Sequence, residues 1–298
     1  MVAISRKKPG ARAEVVFDIV VSVLCVLFCI TVIVPFLYIL ALSFNNGTDA
    51  LKGGIGLVPR EFTLENYAII FQEENLLKAV GVSVARTVIG TVSSGILTAF
   101  VAYCFTKKNL VGLNFYLALF LLPMYLVPGL IPTFLTYNAL GLTNSFWVYI
   151  IPNLVWGYNI IITRTFFQGL PPALEESAVI DGANEYVVFF KVILPLSMPV
   201  IATVGLFNAV WQWNSWFDTV MYIRGDEWTT LSSMLAKMLT EQQSNFVGSM
   251  RTAKRATALT PQVLKAAMTV VTMVPIMVVF PFLQKYFVKG VMVGAVKG

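Results

Sequence analysis

Charge is scarce in this chain. Of its 298 residues, 12% are Asp, Glu, Lys or Arg and 57% are hydrophobic, and the mean hydropathy is +0.78. A soluble domain carries roughly 25% charged residues. A water-facing surface built from so few would expose large apolar patches, so the solvent around most of this chain is lipid. Histidine is absent, which removes the commonest metal ligand and the commonest general base. The three cysteines, Cys25, Cys29 and Cys104, lie inside apolar runs and read as small hydrophobes, not as a disulfide framework. No Gly-rich phosphate loop ends in Gly-Lys-Ser/Thr, and no Gly-x-Ser-x-Gly turn offers a nucleophile. An enzyme is therefore not expected, nor an ATPase of the phosphate-loop kind. The positive excess of six is spread through loops and tails, as membrane topology would spread it, not gathered into a nucleic-acid footprint.

What is present is a series of long apolar runs. A helix needs about 20 such residues to cross the hydrocarbon core. The expected spans are about 19–44, 79–105, 113–136, 146–167, 198–220 and 263–284. Pro35 falls inside the first, which a membrane helix tolerates. The first run is too long for a signal peptide's core and ends without a small-residue cleavage site. Between Lys108 and Arg164 there is no charge, and the polar segment Tyr137–Ser145 is the natural turn between spans three and four. Lys and Arg cluster in the 1–14 tail, at Lys107 and Lys108, and at Lys285, Lys289 and Lys297. The positive-inside rule then places both termini in the cytoplasm. The loop 222–262 carries Arg224, Lys237, Arg251, Lys254 and Arg255 and dissents, although long loops weigh less in that rule. The expected architecture is an all-α polytopic membrane protein with six transmembrane helices. A cytoplasmic tail 1–14 and a cytoplasmic tail 289–298 flank one permease domain, 15–288.

The loop 168–197 faces inward in this topology. Pro171 and Pro172 open a helix where a missing N–H costs nothing, and Glu175 and Glu176 sit favourably in its first turns. Gly182 permits a sharp turn. A second short helix follows over 185–192, with Phe189, Phe190 and Val192 available to pack. Pro195 and Pro199 stop it and lead into span five. The product is a helical elbow between spans four and five, suited to passing push and pull to the membrane helices.

Glu176, Ser177, Ala178, Gly182, Val192, Leu194 and Pro195 form the pattern Glu, small, Ala, three residues, Gly, nine residues, aliphatic, one residue, Leu-Pro. This resembles the signature loop of importer permeases that work with binding proteins and ATPases. Ser177 replaces the usual alanine and Val192 the usual isoleucine. Asp181 and Ala183 fit the sugar-transporting branch. Phe62-Thr-Leu-Glu-Asn-Tyr67, Trp213-Asn-Ser-Trp216 and the ending from Tyr286 to Lys297 look similar to the same branch. Over nearly its whole length the chain resembles the maltose-permease-like carbohydrate subunits, nearest those for complex or plant oligosaccharides.

The resemblance implies that the elbow docks on an ATP-hydrolysing subunit, present in two copies, through Glu176, Ser177, Ala178, Asp181, Gly182, Ala183, Leu194 and Pro195. Glu176 and Asp181 would meet basic groups there. It implies a second, related permease chain, an extracytoplasmic sugar-binding protein and a bacterial cytoplasmic membrane. No cofactor or metal is expected on this chain; ATP and magnesium belong to the partner. For the substrate pathway, Trp211, Trp213, Asn214 and Trp216 are candidates, because ring faces stack on the apolar faces of pyranoses. They also suit the membrane interface as anchors. Tyr125, Asn153, Trp156 and Asn208 are further candidates, with helix–helix contact the competing role for the asparagines. Arg86 lies inside a span, which points to function, yet it is near the outer end and within snorkelling reach. Asp218, ending span five, reads as interfacial. An ion-coupled secondary transporter or channel is the alternative. Against it, the spans offer no mid-membrane carboxylate and no inverted repeat.

Overall fold

The computed structural model describes residues 11–107, 109–126, 128–240 and 260–295; for 11–13 and 282–295 it describes backbone alone. The expected basic positions Arg6, Lys7, Lys8, Lys108, Arg251, Lys254, Arg255 and Lys297 lie outside the described residues, and the side chains of Arg12, Lys285 and Lys289 do too. The described residues are helical, with a single isolated bridge between Asn45 and Phe62. The chain falls into two compact units, residues 1–70 with 242–270, and residues 71–241 with 271–298.

In the first unit, helix α1 (Ala11–Ser43) is apolar on every side. From Glu14 to Tyr38 every residue is exposed. Such a helix is stable only in lipid or against another chain. Its C-terminal end runs into a polar knot. Asn66 Nδ2 donates to the carbonyl of Ser43, which α1 leaves unpaired at its end, and to that of Asn45 just beyond it. Asn45 Oδ1 accepts the N–H groups of Arg60 and Glu61, and Arg60 Nε reaches Asp49 at 2.9 Å. Asp49 lies in the one-turn helix α2 (Gly47–Ala50), and Asn66 in α3 (Glu65–Gln72), the amphipathic piece.

The second unit is built on α4 (Glu74–Cys104). After it come α5 (Leu113–Tyr125), α6 (Leu130–Ala139), two 3-10 turns (Phe146–Tyr149 and Ile151–Asn153) and α7 (Gly157–Gln168). The elbow helices are α8 (Ala173–Ile180) and α9 (Glu185–Val188), followed by a π turn (Phe189–Ile193) and the short α10 (Leu194–Leu196). Then come α11 (Met198–Asn214), α12 (Phe217–Tyr222), α13 (Leu231–Thr240) and α14 (Pro261–Ala295), which begins in the first unit. Helix α11 lies along α4, with α7 beside both. One apolar cluster gathers Ala99, Ala102, Tyr103, Ile160, Phe189 and Val204. Another joins Val148, Tyr149, Tyr222 and Ile223.

Among the described residues, three helices are long and apolar enough to cross a membrane alone, and two bent pairs raise the number to five. The expected third span is instead two helices, α5, which ends at Tyr125, and α6, which starts at Leu130. Pro128 lacks an N–H and Gly129 is flexible, and α6 begins only after them. The expected fourth span is bent by 47° between Asn153 and Gly157. Ser197 marks a 77° bend between the stretch Glu185–Leu196 and α11, just ahead of Pro199. Charge-free length alone does not show these breaks.

Candidate functional site

The elbow is a closed two-helix corner. Helix α8 carries Glu175 and Glu176 in its first turn. Gly182 ends it with φ +85°, a left-handed conformation that costs a side chain about 1–2 kcal/mol. The corner closes with Ala183 N–H donating to the Ala178 carbonyl at 2.9 Å and Gly182 N–H to that of Val179 at 3.0 Å, the pattern of a glycine-terminated helix. Asn184 then caps α9, its Oδ1 accepting from Val187 N–H at 2.9 Å. Ala178, Ala183 and Leu194 pack on the chain's own core. Glu176, Ser177, Asp181, Gly182 and Pro195 face outward. Beside them Ile180 is 84% exposed, and Val179 and Tyr186 are exposed too. The outer face thus mixes carboxylates with uncovered aliphatic and aromatic surface, the composition of a docking face.

Both elbow helices are tied to the end of α4. Tyr103 Oη–H faces Glu175 Oε1 at 2.8 Å and Glu185 Oε2 at 2.7 Å, and its one proton serves one of them at a time. Lys107 Nζ pairs with Glu175 and, at 2.8 Å, with Glu185, and it lies 4.5 Å from the Tyr103 ring centre. Burial pulls the Lys107 ammonium down, but hydrogen bonds to Glu175 and Glu185 outweigh it and raise its pKa. Hydrogen bonds from Lys107 and then Tyr103 hold the Glu185 carboxyl below the usual carboxylate range. Neither Tyr103 nor Lys107 nor Glu185 stood among the expected coupling residues. Their partners are 68 to 82 positions away, and only the charge pattern, two acids in one loop and a lysine in another, hinted at them.

The expected pathway residues part into groups. Trp211, Asn214 and Trp216 line one cavity of about 690 Å³ with Val210, Phe217 and Phe280. Trp156 stands edge-on to Trp211, ring centres 5.1 Å apart, and lines a neighbouring cavity of about 700 Å³ with Met124 and Tyr158. Trp213 points elsewhere. It is buried, donates Nε1–H to the Thr272 carbonyl at 3.0 Å, and borders an apolar cavity of about 460 Å³. Asn208 is buried against α4, its Nδ2 3.3 Å from the Gly90 carbonyl. Asn153 donates to the Tyr149 carbonyl. Tyr125 is 82% exposed and lines none of these three cavities.

Arg86 does not reach outward to solvent but pairs with Asp218 inside the protein. Arg86 has no exposed surface, and its Nη2 lies 2.6 Å from Asp218 Oδ2. A guanidinium inside apolar surroundings is held by partners that use its whole fork, and Asp218 is the charged one.

The description of binding-protein-dependent transport system inner membrane components matches residues 91–293. Across 95% of the chain, 36% of residues are identical to the polygalacturonan/rhamnogalacturonan transport system permease protein YtcP of Bacillus subtilis (strain 168), 98% of which is covered. The chain belongs to the binding-protein-dependent permease family. This permease is also 39% identical to the protein LplC of the same organism, over 89% of the chain and 90% of LplC. Among solved structures it is similar to a bacterial ABC transporter involved in the import of the acidic polysaccharide alginate. That likeness has a TM-score of 0.85 and 28% identity, covering 93% of the permease and 98% of that chain. The permease is a transport subunit, not an enzyme. Among its described residues no three His, Cys, Asp or Glu side chains group as metal ligands would.

Proposed function

We propose that this permease is one transmembrane subunit of an ATP-driven importer, and that it translocates an oligosaccharide handed over by an extracytoplasmic binding protein. The observation that carries the reading is the elbow. It is a rigid corner whose acidic and apolar face is uncovered, and whose inner face is bolted to a helix long enough to cross the membrane. A docked partner that moves such a corner moves α4 with it. In this reading Glu176 and Asp181 meet basic groups of an ATP-hydrolysing subunit present in two copies, Ile180 and Val179 enter its surface, and Gly182 sets the corner angle. Ala178, Ala183 and Leu194 act from within, as the packing that keeps the corner closed. ATP and magnesium sit on the partner.

The finer topology belongs to the same proposal: six spans in a bacterial cytoplasmic membrane, with α5 and α6 together as the third, and both termini cytoplasmic. Lys107 supports it, because it joins the elbow side by direct pairing. Exposed α1 supports a second permease chain, since lipid or protein must cover it. Relatives whose names refer to polygalacturonan, rhamnogalacturonan and alginate favour an acidic or plant-derived oligosaccharide as cargo. Trp211, Asn214 and Trp216, with Trp156 beside them, form the surface that a sugar would stack upon.

Purification in mild detergent, tagged, from native membranes tests this. Recovery of a second permease chain and an ATPase is expected, with the ATPase lost in Glu176→Arg. Reconstituted in vesicles, the assembly should take up oligosaccharide only with ATP on the elbow side. A chain that comes down alone, under conditions that keep a known importer intact, would defeat the reading.

A further inference from the structure

Arg86 has no part in the docking of the elbow, yet it is the most elaborately held side chain in the second unit. All five N–H groups of its guanidinium have acceptors. Nε and Nη2 donate to Gln212 Oε1 at 3.1 and 3.0 Å. Nη2 also reaches Asp218 Oδ2 at 2.6 Å, and Nη1 reaches Asp218 Oδ1 and the Ser215 carbonyl, each at 3.2 Å. The Tyr149 ring lies 4.2 Å from the guanidinium carbon, close enough for a cation–π contact.

These acceptors sit on the two sides of a break in the chain. Gln212 is in the last turn of α11, Ser215 is its C-cap with extended backbone, and Asp218 is in the first turn of α12. One planar fork from α4 therefore holds an unpaired helix-end carbonyl and the opening turn of the next helix at once. The guanidinium suits this because its donors are fixed in a plane, where an ammonium is a single point charge. Gly90 makes the approach feasible, since a Cβ there would come within 2.4 Å of Gln212 Nε2.

The break sets where Trp216 stands relative to Trp211 and Asn214, which end α11. Trp213, ahead of it, is turned inward onto the Thr272 carbonyl. Trp211, Asn214 and Trp216, around it, line the cavity of about 690 Å³. A buried ion pair is a poor device for stability alone, because apolar side chains of like volume serve as well or better. Five directed bonds converging on a helix break have a different use: they fix its angle.

We propose that Arg86 is a positioning residue of the substrate pathway: together with Asp218 it fixes the α11–α12 break and so holds Trp211, Asn214 and Trp216 on the wall that the oligosaccharide passes. This rests on the reading of that cavity as the sugar path.

Removing one charge alone leaves the other buried and unpaired, so the test uses Arg86→Met/Asp218→Leu, which removes both. It is made in the assembled importer with Cys25, Cys29 and Cys104 replaced by alanine and Asn214→Cys as reporter. The comparison is with the same reporter protein bearing Arg86 and Asp218. The expected result is normal assembly with the ATPase, a maleimide labelling rate at position 214 changed about threefold or more, and maximal uptake lowered about tenfold, short of the roughly hundredfold that a misplacement of about 1 Å can cost a catalytic step. Unchanged labelling and unchanged uptake in the assembled variant would overturn the proposal and leave the pair as a contact for stability. Should the double variant fail to accumulate, Arg86→Lys keeps a cation beside Asp218 without the fork and is judged by the same two readouts. Trp211→Ala separates the two readings. If it transports at the normal rate, the cavity is not the sugar path and the proposal falls with that reading. If it impairs uptake while the double variant does not, the role of Arg86 alone falls.

Discussion

Helix α4 has one ionic cluster partway along it and another at its C-terminal end, and the two differ mainly in their solvent. Arg86 and Asp218 are closed off, with side chains 1% and 12% exposed. Lys107, Glu175 and Glu185 are 30%, 33% and 64% exposed. Exposed pairs contribute about 0–1 kcal/mol and are screened by salt. A buried pair adds little net stability, but losing one partner strands a charge in a medium that cannot solvate it. The two clusters, roughly 25 Å apart at 1.5 Å per residue, therefore suit different tasks. A contact that must hold one geometry gains from burial. A contact on an element moved by a partner gains from water, which lets it adjust at low cost.

The largest effect should come from breaking the buried cluster on one side. Arg86→Met alone, or Asp218→Leu alone, is expected to destabilise the permease by about 3–5 kcal/mol. The loss would be seen as a fall in the detergent melting temperature and in folded protein per membrane. The double variant should recover most of it.

Next are the two glycines, which fail for different reasons. At Gly90 the backbone is ordinary and the space is filled by Gln212, itself tied to Arg86 and to the Tyr149 carbonyl. Gly90→Ala should cost about 1–3 kcal/mol by overpacking, measured as melting temperature. At Gly182 the surroundings are open and the backbone is left-handed. Gly182→Asp should cost only about 1 kcal/mol of stability, yet it should separate ATP hydrolysis from uptake by changing the corner angle. Normal uptake at normal abundance would remove Gly182 from the coupling role.

The smallest effect on stability belongs to Lys107→Met, about 1 kcal/mol or less. Its signature is functional: more ATP hydrolysed per sugar, with the wild type moving toward the variant as salt is raised. Its pH dependence has a definite sign. Glu185, depressed in the fold, contributes above its unfolded value of about 4.3 and loses that contribution as pH falls through its lower folded value. Lys107, raised in the fold, contributes fully below its unfolded value of about 10.4, and that is lost only as pH rises through the higher folded value. Coupling should therefore be insensitive to pH between about 5 and 10. A change of ATP per sugar near neutrality that Lys107→Met abolishes would refute this account of the elbow.

Several of these elements were legible in the sequence. The spacing from Glu176 through Gly182 to Leu194-Pro195 marks the elbow, because a turn of fixed geometry needs glycine at one place and proline after it. Long apolar runs mark α1, α4 and α14 as helices fit for lipid. Length does not mark the ends of helix at Tyr125 and Asn153, since an apolar run reads the same whether or not its helix is continuous. The tryptophan motif looked like one group, and the structure divides it, with Trp211 and Trp216 on the cavity and Trp213 behind it.

The sequence by itself determined that lipid surrounds this protein, that its structure is helical, and where its corner turns, because composition and local backbone preference act over a few residues. Only the tertiary structure decided which partners Arg86 and Lys107 find. Asp218 lies 132 positions from Arg86 and Glu175 lies 68 from Lys107. In a medium that cannot solvate them, charges must find partners in space, and the packing of α11 and the elbow against α4 brings those partners within reach.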